Sequence, residues 1–284
     1  MKLALGTVQF GVQYGINNPV GVPSTEEVKS ILSLASKSGI DLLDTAPAYG
    51  NAEEVVAKCG IEGFDIVTKF FQVKDKQGLY NSLDKSLQNL NRKSVFGLIA
   101  HNADELISNP SLWEALQEIQ QKKLVQKIGY SLYNVEQLET LLALDMVPNL
   151  VQFPYSLLDR KFEAMLPQLK QLGAEIHVRS AFLQGLYFIE PSQLPIKLQP
   201  LNNSLTQLRV LSKNFGMSIG ELALNFAVTE SNIDKVVIGV YYSAQLQENI
   251  GYLKSSKYNQ ALSQEIKSIK VVNPELLNPA TWSK

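Results

Sequence analysis

The chain has 284 residues, of which 45% are hydrophobic and 19% are charged, with a formal net charge of −1. A chain with this apolar fraction and so little net charge is globular rather than disordered. The charged residues are scattered, so neither a nucleic-acid-binding protein nor a protein with a basic membrane-binding surface is expected.

Particular residues exclude further classes. Cys59 is the only cysteine, so no intramolecular disulfide is expected. The only histidines, His101 and His177, are too far apart for a short zinc-binding motif, and no metal site is predicted. The amino-terminal residues do not resemble a signal peptide and no apolar run is long enough to cross a membrane, so a cytoplasmic protein is expected.

Short apolar runs alternate along the chain with stretches of helical periodicity. After the first run and a loop rich in glycine and proline, a capping box of Ser24 and Glu27 begins the first helix, which Gly39 ends. The strands are predicted at residues 2–8, 40–44, 64–69, 96–101, 127–131, 149–153, 175–180 and 234–240. Later helices are predicted at residues 51–58, around 83–90, and at 111–122, 134–144, 162–172, 205–215 and 258–271, with one more from residue 218.

This alternation predicts an α/β protein, a (β/α)8 TIM barrel that forms a single domain over residues 1–284 with an extra carboxyl-terminal helix. A doubly wound open sheet is the alternative, although the chain lacks the G-x-G-x-x-G turn of dinucleotide-binding sheets. The longest irregular stretch, residues 181–202, is rich in proline and is expected to be a functional loop.

One hydrolase-like pattern, GMSIG at residues 216–220, occurs in the chain. A nucleophilic serine in this pattern needs a strand before it and a catalytic histidine later in the sequence. Residues 205–215 have helical periodicity instead, and no histidine follows His177. We therefore expect Ser218 to cap a helix together with Glu221.

Polar side chains stand at the carboxyl ends of the predicted strands, where the catalytic residues of such barrels lie. Each has a structural explanation on its own: Asp44 could cap a turn, Tyr49 could be a rim aromatic, Lys69 could be solvated, and His101 could bind a backbone carbonyl. Because these four residues come from three successive βα units, we expect them to meet at one site. The later strands add Ser131, Gln152, Arg179 and Ser180.

An acid, a phenol, an amine and an imidazole together suit proton transfer to a carbonyl group. The ammonium group of Lys69 is expected to lower the pKa of the Tyr49 phenol from its usual value of about 10. Asp44 would keep this ammonium charged and positioned, and His101 would orient the substrate oxygen. The chain has no redox group of its own, so the hydride must come from a cofactor.

With these residues in place, the chain resembles the aldo-keto reductase family. The resemblance covers nearly the whole chain, and its most specific part is the D-x-A-x-x-Y-G segment at residues 44–50 with the later Lys69 and His101. Further matching segments are LGT at 5–7, VTK at 67–69, LIAH at 98–101, IGYS at 128–131, VQFPYS at 151–156, RSAFLQG at 179–185, VIGV at 237–240 and QEN at 247–249.

The resemblance implies a barrel that binds NADP or NAD without a Rossmann domain. It also implies that Tyr49 is the general acid and base, that Asp44 and Lys69 tune it, and that His101 orients the carbonyl. The cofactor-binding residues that it implies are Gly6, Thr7, Ser131, Gln152, Arg179, Ser180, Leu183, Gly185, Gly239, Gln245, Glu248 and Asn249.

Among these, Ser131 and Gln152 would hold the nicotinamide carboxamide, and Arg179 would stack on the nicotinamide ring. Two departures from the family pattern stand out. Leu132 replaces an asparagine found in many members, and no lysine or arginine occurs between residues 236 and 249, where many members bind the 2′-phosphate. The family favours NADP as the cofactor, and the missing cations favour tolerance of NAD.

The implied activity is that of an NAD(P)H-dependent oxidoreductase that reduces an aldehyde or ketone, with sugar-type compounds as one substrate class. The alternative is a cofactor-binding regulatory or redox-sensing subunit with little turnover. The segment after His101 is short, so an open substrate site is expected. Its candidate wall residues are Gln9, Phe10, Tyr14, Phe71 and Tyr155. The expected partners are a small carbonyl substrate and at most copies of the same chain, as a monomer or small homo-oligomer.

Overall fold

A computed structural model describes residues 1–16, 18, 21–254 and 257–282. Within them, eight parallel strands close into a barrel in chain order, so the predicted barrel is confirmed and the open sheet is not formed. The ends of every strand agree with the prediction to within two residues. The strands are β1 Leu3–Gly6, β2 Leu42–Asp44, β3 Asp65–Phe70, β4 Val95–Ala100, β5 Val125–Ser131, β6 Leu150–Pro154, β7 Glu175–Arg179 and β8 Lys235–Ile238.

Helices surround this barrel. In the described part of the chain they are α1 Val8–Gly11, α2 Thr25–Lys37, α3 Ala52–Cys59, α4 Lys76–Asn89, α5 Asp104–Ser108, α6 Ser111–Gln121, α7 Val135–Ala143, α8 Leu166–Gln171, α9 Asn202–Asn214, α10 Ile219–Thr229, α11 Ser243–Tyr252 and α12 Gln260–Ser268. Helix α12 is the predicted extra helix, whereas α1, α5 and α11 were not predicted. Among the described residues, no helix combines the length and the apolar character needed to cross a bilayer.

The loop predicted at residues 181–202 is more ordered than expected. It contains the 3-10 helices Leu183–Phe188, Pro191–Gln193 and Ile196–Leu201. Leu183 and Gln184 in this segment, and Ser180 just before it, have positive φ angles of 46°, 52° and 63°. L-residues rarely adopt this conformation, so the surrounding contacts must hold the backbone there.

The two predicted capping boxes form to different extents. The Ser218 hydroxyl accepts from the Glu221 N–H at 3.1 Å and the Glu221 carboxylate accepts from the Ser218 N–H at 3.2 Å, so this box is complete. The Ser24 hydroxyl accepts from the Glu27 N–H at 3.3 Å. The Glu27 carboxylate, however, turns away and accepts from the Ser243 N–H at 2.5 Å, at the start of α11.

Side chains alternate between the two faces of each strand, and this alternation positions the site. On β1, Leu3 and Leu5 pack outward beneath the helices. The alternate positions form an inner apolar cluster of Ala4, Leu42, Val67, Ile99, Leu150 and Val237. Two residues further along their strands, the same alternation turns Asp44, Lys69, His101 and Gln152 inward at the carboxyl end of the barrel.

The amino-terminal end of the barrel carries a separate cluster of charged residues. The Glu175 carboxylate binds both Lys127 and the fully buried His177, whose Nε2 lies 2.8 Å from Glu175 Oε1. Burial alone would raise the pKa of Glu175, but the hydrogen bonds from His177 and Lys127 lower it to about 2. Residues at this end of such barrels contribute to stability rather than to chemistry.

Candidate active site

A cleft of about 540 Å³ opens at the carboxyl end of the barrel. Its walls come from the segments that follow β1, β7 and β8, together with the first turn of α10 and one side of α11. Thirteen of the residues proposed from the sequence line it: Gly6, Thr7, Gln9, Tyr14, Asp44, Tyr49, Arg179, Ser180, Gly185, Gly239, Gln245, Glu248 and Asn249.

A buried ion pair lies at the inner end of the cleft. The Lys69 ammonium donates to Asp44 Oδ1 at 2.7 Å and to the Thr45 carbonyl at 2.9 Å. The Gln152 amide donates to the other Asp44 oxygen, also at 2.7 Å. Burial lowers the pKa of Lys69, and the Asp44 carboxylate opposes this shift. Both carboxylate oxygens are therefore engaged, and the ammonium is held in one position.

Tyr49 lies beside this pair. It is half-buried, and the Lys69 ammonium is 5.1 Å from the centre of its ring. Burial, together with the negative charge of Asp44, raises the pKa of the Tyr49 phenol well above its usual value. The expectation of a lowered pKa is therefore wrong for this structure, because burial of the phenol, with the Asp44 charge beside it, outweighs the nearby positive charge.

His101 contacts the opposite side of Tyr49. The two rings meet edge to face with their centres 5.6 Å apart, and Phe71 packs on His101 at the same distance. Burial and the Lys69 charge lower the pKa of His101 to about 4, so the imidazole is neutral near pH 7. Its buried Nδ1 has no hydrogen-bond partner among the described residues.

Arg179 brings a positive charge to the same end of the cleft. One of its nitrogens donates to the Leu132 carbonyl at 3.2 Å, and the guanidinium lies over the Tyr133 ring, 4.6 Å from its centre. Leu132, the residue that departs from the family pattern, is fully buried and holds Arg179 through its backbone. The Tyr133 contact was not predicted from the sequence.

The loops on the two sides of the cleft are tied together. The Gln184 amide donates to the Tyr14 hydroxyl at 2.6 Å, and the Tyr241 hydroxyl donates to the Tyr14 carbonyl. Gly15 has a φ of +93°, and an added Cβ would lie 2.7 Å from the Tyr241 hydroxyl. These contacts join the loop after β1 to the loops after β7 and β8. Of the bridging residues Tyr14, Gln184 and Tyr241, only Tyr14 was proposed as a site residue from the sequence.

Some proposed residues lie outside the lining of the cleft. Phe10 and Tyr155, expected in the substrate wall, are each 1% exposed and lie in the hydrophobic core, where Tyr155 stacks on Phe226 at 5.3 Å. Leu183 is fully buried. Ser131 is buried and pairs in register with Gln152. The two core aromatics belong to the packing of the barrel because their side chains turn towards the helices rather than towards the mouth.

The cleft has the chemistry that a nicotinamide dinucleotide requires. Thr7 Oγ1 and Gln9 Oε1 are buried polar atoms of lining residues and have no hydrogen-bond partner among the described residues. Arg179 supplies a cation near Tyr49, and the absence of a side chain at Gly239 leaves room for the Gln9 amide in the cleft wall. No cluster of three or more His, Cys, Asp or Glu side chains suited to a metal ion occurs in the described part of the chain.

Comparison with known proteins agrees with this geometry. An aldo-keto reductase of Bacillus subtilis (YhdN) is 24% identical over 299 aligned residues, covering 90% of each chain. The L-galactose dehydrogenase of Arabidopsis thaliana is also 24% identical, covering 94% of this chain and 91% of the plant enzyme.

Among solved structures, the holo form of an aldo-keto reductase from Bacillus halodurans superposes with a TM-score of 0.77 at 20% identity, covering 94% of this chain and 91% of that one. The sequence profile of the Aldo/keto reductase family matches residues 2–271. The chain therefore belongs to the aldo/keto reductase family of NAD(P)H-dependent oxidoreductases.

Proposed function

We propose that this enzyme reduces an aldehyde or ketone to an alcohol, with Tyr49 as the acid that protonates the carbonyl oxygen. The observation that carries the proposal is the buried Lys69–Asp44 pair beside Tyr49 and His101 at the inner end of the cleft. When bound, the reduced nicotinamide cofactor supplies the hydride.

Tyr49 is suited to the role of acid because its raised pKa keeps the phenol protonated at neutral pH. As negative charge develops on the carbonyl oxygen, the phenol gives up its proton to that oxygen. The Lys69 ammonium then stabilises the phenolate that remains. Asp44 and the Thr45 carbonyl hold this ammonium 5.1 Å from the centre of the Tyr49 ring. Removing the Tyr49 hydroxyl therefore removes the proton source.

His101 is a neutral hydrogen-bonding group in this proposal. With a pKa of about 4, its imidazole carries no charge during turnover and can donate one hydrogen bond to the substrate oxygen. Its imidazole is in edge-to-face contact with the Tyr49 ring, so the two side chains are close enough to bind one substrate atom. We infer that the carbonyl oxygen is held between them.

We further propose small, polar, sugar-type carbonyl compounds as the substrate class. Phe71 is 44% exposed next to His101, and Tyr14 is 38% exposed at the cleft rim, so the substrate side is open and presents aromatic faces. Aromatic faces and hydrogen-bonding groups together suit a polyhydroxylated carbonyl compound. The relationship to L-galactose dehydrogenase supports the same class.

For the cofactor, we propose that Thr7, Arg179 and Ser180 contact the nicotinamide half and that Gln245 and Asn249 contact the adenosine half. Gln152 is assigned a different role from the one expected, because its amide nitrogen donates to Asp44 and so orients the catalytic carboxylate. The family favours NADP as the cofactor, whereas the absence of a lysine or arginine between residues 236 and 249 favours NAD.

The test is the loss of near-ultraviolet absorbance of NADH or NADPH when the enzyme is mixed with a nitrobenzaldehyde or an aldose. We expect Tyr49→Phe to lower the rate by about a hundredfold or more while binding of the reduced cofactor, followed by fluorescence, is retained. Tyr80→Phe is the matched control, because the Tyr80 hydroxyl accepts from Lys122 on the outer helices and does not line the cleft. A Tyr49→Phe enzyme with the full rate would contradict the proposal.

A further inference from the structure

We propose that Glu105 is a positioning residue for substrate binding, because it holds the loop after β3 so that the Phe71 ring forms a wall beside His101. The inference rests on the proposed function, since it concerns the substrate that Tyr49 and His101 would receive. Glu105 lies on α5, the short helix that follows β4, and it was not among the site residues proposed from the sequence.

The loop between β3 and α4 carries Phe71 in an exposed position beside His101. The Phe71 side chain is 44% exposed, and the centre of its ring lies 5.6 Å from that of the imidazole. The next residue, Gln72, has a φ of +57°, a conformation that L-residues rarely adopt. Contacts from outside the loop must therefore hold its backbone in place.

Helix α5 and its carboxyl-terminal cap supply two of these contacts. The Glu105 carboxylate accepts from the Val73 N–H at 3.1 Å through Oε2. Four residues later, the Asn109 amide donates to the Lys74 carbonyl at 3.0 Å. The backbone that follows Gln72 is thus bound through one N–H group and one carbonyl group, and this fixes the end of the loop.

Helix α5 is itself fixed to the barrel. Leu106 is fully buried in the hydrophobic core, and the Gln137 amide donates to Asp104 Oδ1 at 2.7 Å. The Gln137 side chain also accepts from the Tyr133 N–H at 2.8 Å, in the loop after β5. Because a helix of five residues is not stable on its own, these contacts determine where Glu105 lies.

The second carboxylate oxygen of Glu105 indicates a role other than stability. Oε1 is buried and has no hydrogen-bond partner among the described residues. A buried polar atom without a partner lowers the stability of the folded state. Glu105 therefore holds the Val73 N–H at a cost to folding, as is expected of a residue that serves a site.

Loss of this contact should weaken substrate binding and leave the chemistry intact. His101 keeps its place, because its backbone N–H donates to the Phe70 carbonyl at 2.9 Å and its ring contacts Tyr49. Phe71 would lose its fixed position, so a substrate that packs on this ring would bind less tightly. A nitrobenzaldehyde has an aromatic face that can pack on Phe71, whereas glycolaldehyde has none.

The test compares KM and kcat for these two aldehydes in the wild-type enzyme, Glu105→Ala, Glu105→Gln and Asn109→Ala. We expect Glu105→Ala to raise KM for the nitrobenzaldehyde by about fivefold or more. The values of kcat, KM for glycolaldehyde and Kd of the reduced cofactor should not change. Glu105→Gln keeps an acceptor oxygen for the Val73 N–H and should retain the wild-type KM. Asn109→Ala should raise the same KM as Glu105→Ala does.

Two further variants separate positioning from general damage. Glu114→Ala is the matched control, because Glu114 is exposed on the neighbouring helix α6, and its constants should equal those of the wild type. In a Phe71→Ala background, Glu105→Ala should have no further effect on KM, because the ring that Glu105 positions is absent.

Three results would overturn the inference: an unchanged KM for the nitrobenzaldehyde in both alanine variants of the brace, an equal rise in KM for glycolaldehyde, or additive effects of Glu105→Ala and Phe71→Ala. If one of these occurs while reduction still depends on Tyr49, only this inference fails. If the wild-type enzyme reduces neither aldehyde with NADH or NADPH, the proposed function fails and the inference fails with it. If circular dichroism shows that Glu105→Ala does not fold, Asn109→Ala with and without Phe71→Ala gives the same comparison.

Discussion

The Lys69 ammonium and the Asp44 carboxylate lie 2.7 Å apart, with their side chains 1% and 5% exposed. Each group is the ionic partner of the other, and without this pairing a charged side chain would be buried alone in the barrel. The Gln152 amide and the Thr45 carbonyl complete the arrangement. The pair therefore contributes to folding as well as to the chemistry that we propose at Tyr49.

We expect Lys69→Met to lower the free energy of unfolding by about 3–5 kcal/mol, because it leaves Asp44 buried without its cation. Urea unfolding followed by circular dichroism measures this change. Lys76→Met is the control, since Lys76 binds Glu118 on the surface with both side chains at least 40% exposed, and we expect its loss to leave the stability almost unchanged. Equal losses in the two variants would contradict the burial argument.

Gly11 allows α1 to approach the segment that carries Tyr49. A Cβ at this position would lie 1.8 Å from the Tyr49 carbonyl oxygen and 2.7 Å from the Ala52 nitrogen. We expect Gly11→Ala to displace Tyr49 and to lower kcat/KM by about tenfold or more, since small displacements of reacting groups are costly. Gly63→Ala, with no heavy atom within 4 Å of its added Cβ, should leave the rate unchanged.

His101 makes the stability of the protein depend on pH. In the unfolded chain a histidine takes up a proton below about pH 6.5, whereas His101 in the folded protein does so only near pH 4. Between these values the unfolded state binds more protons, so stability falls as the pH falls.

We expect the free energy of unfolding of wild-type protein to decrease by about 2 kcal/mol more than that of His101→Asn between pH 6.5 and pH 4. Urea unfolding at several pH values gives both curves. Their difference isolates His101, because all other titrating groups are shared. Parallel curves over this range would show that His101 has the same proton affinity in the folded and unfolded states.

The bridge through Tyr14 is expected to slow the release of the cofactor. Tyr14→Phe removes the acceptor for the Gln184 amide, and a hydrogen bond of this kind is worth about 1 kcal/mol. We expect dissociation of NADH, followed by stopped-flow fluorescence, to be about fivefold faster in the variant. Tyr80→Phe again serves as the control, and an unchanged release rate in Tyr14→Phe would show that the bridge does not retain the ligand.

The sequence predicted the barrel well because buried parallel strands are continuous apolar runs, and helices of a (β/α)8 protein carry a clear periodicity. The rule that chemistry lies at strand ends was enough to select Asp44, Lys69, His101 and Arg179. The short helix α1 was missed because four residues are too few to show a period. Helix α11 was missed because the segment was interpreted only through its expected contacts with the cofactor.

Contacts between distant segments could not be predicted in the same way. The Glu27–Ser243 hydrogen bond joins residues 216 positions apart, and a capping box was a reasonable local prediction for Glu27. The predicted pKa direction of Tyr49 was wrong because it depends mainly on how deeply the phenol is buried, which spacing along the chain does not reveal. Tyr155 was misplaced because a shift of one residue at the end of a strand reverses the side of the barrel that a ring faces. Phe10 was misplaced because it lies in the short helix α1, which was not predicted.

The pairing of β1 with β8 makes the first and last strands neighbours. Thr7 and Gly239, which follow these two strands and both line the cleft, are therefore brought together only after almost the whole chain has been synthesised. A nascent chain that ends before residue 235 would contain Tyr49, Lys69 and His101 but would lack one wall of the cleft. Binding of the dinucleotide would therefore show that the barrel has closed during biosynthesis. The enzyme without its ligand would be the form that opens most readily between β1 and β8.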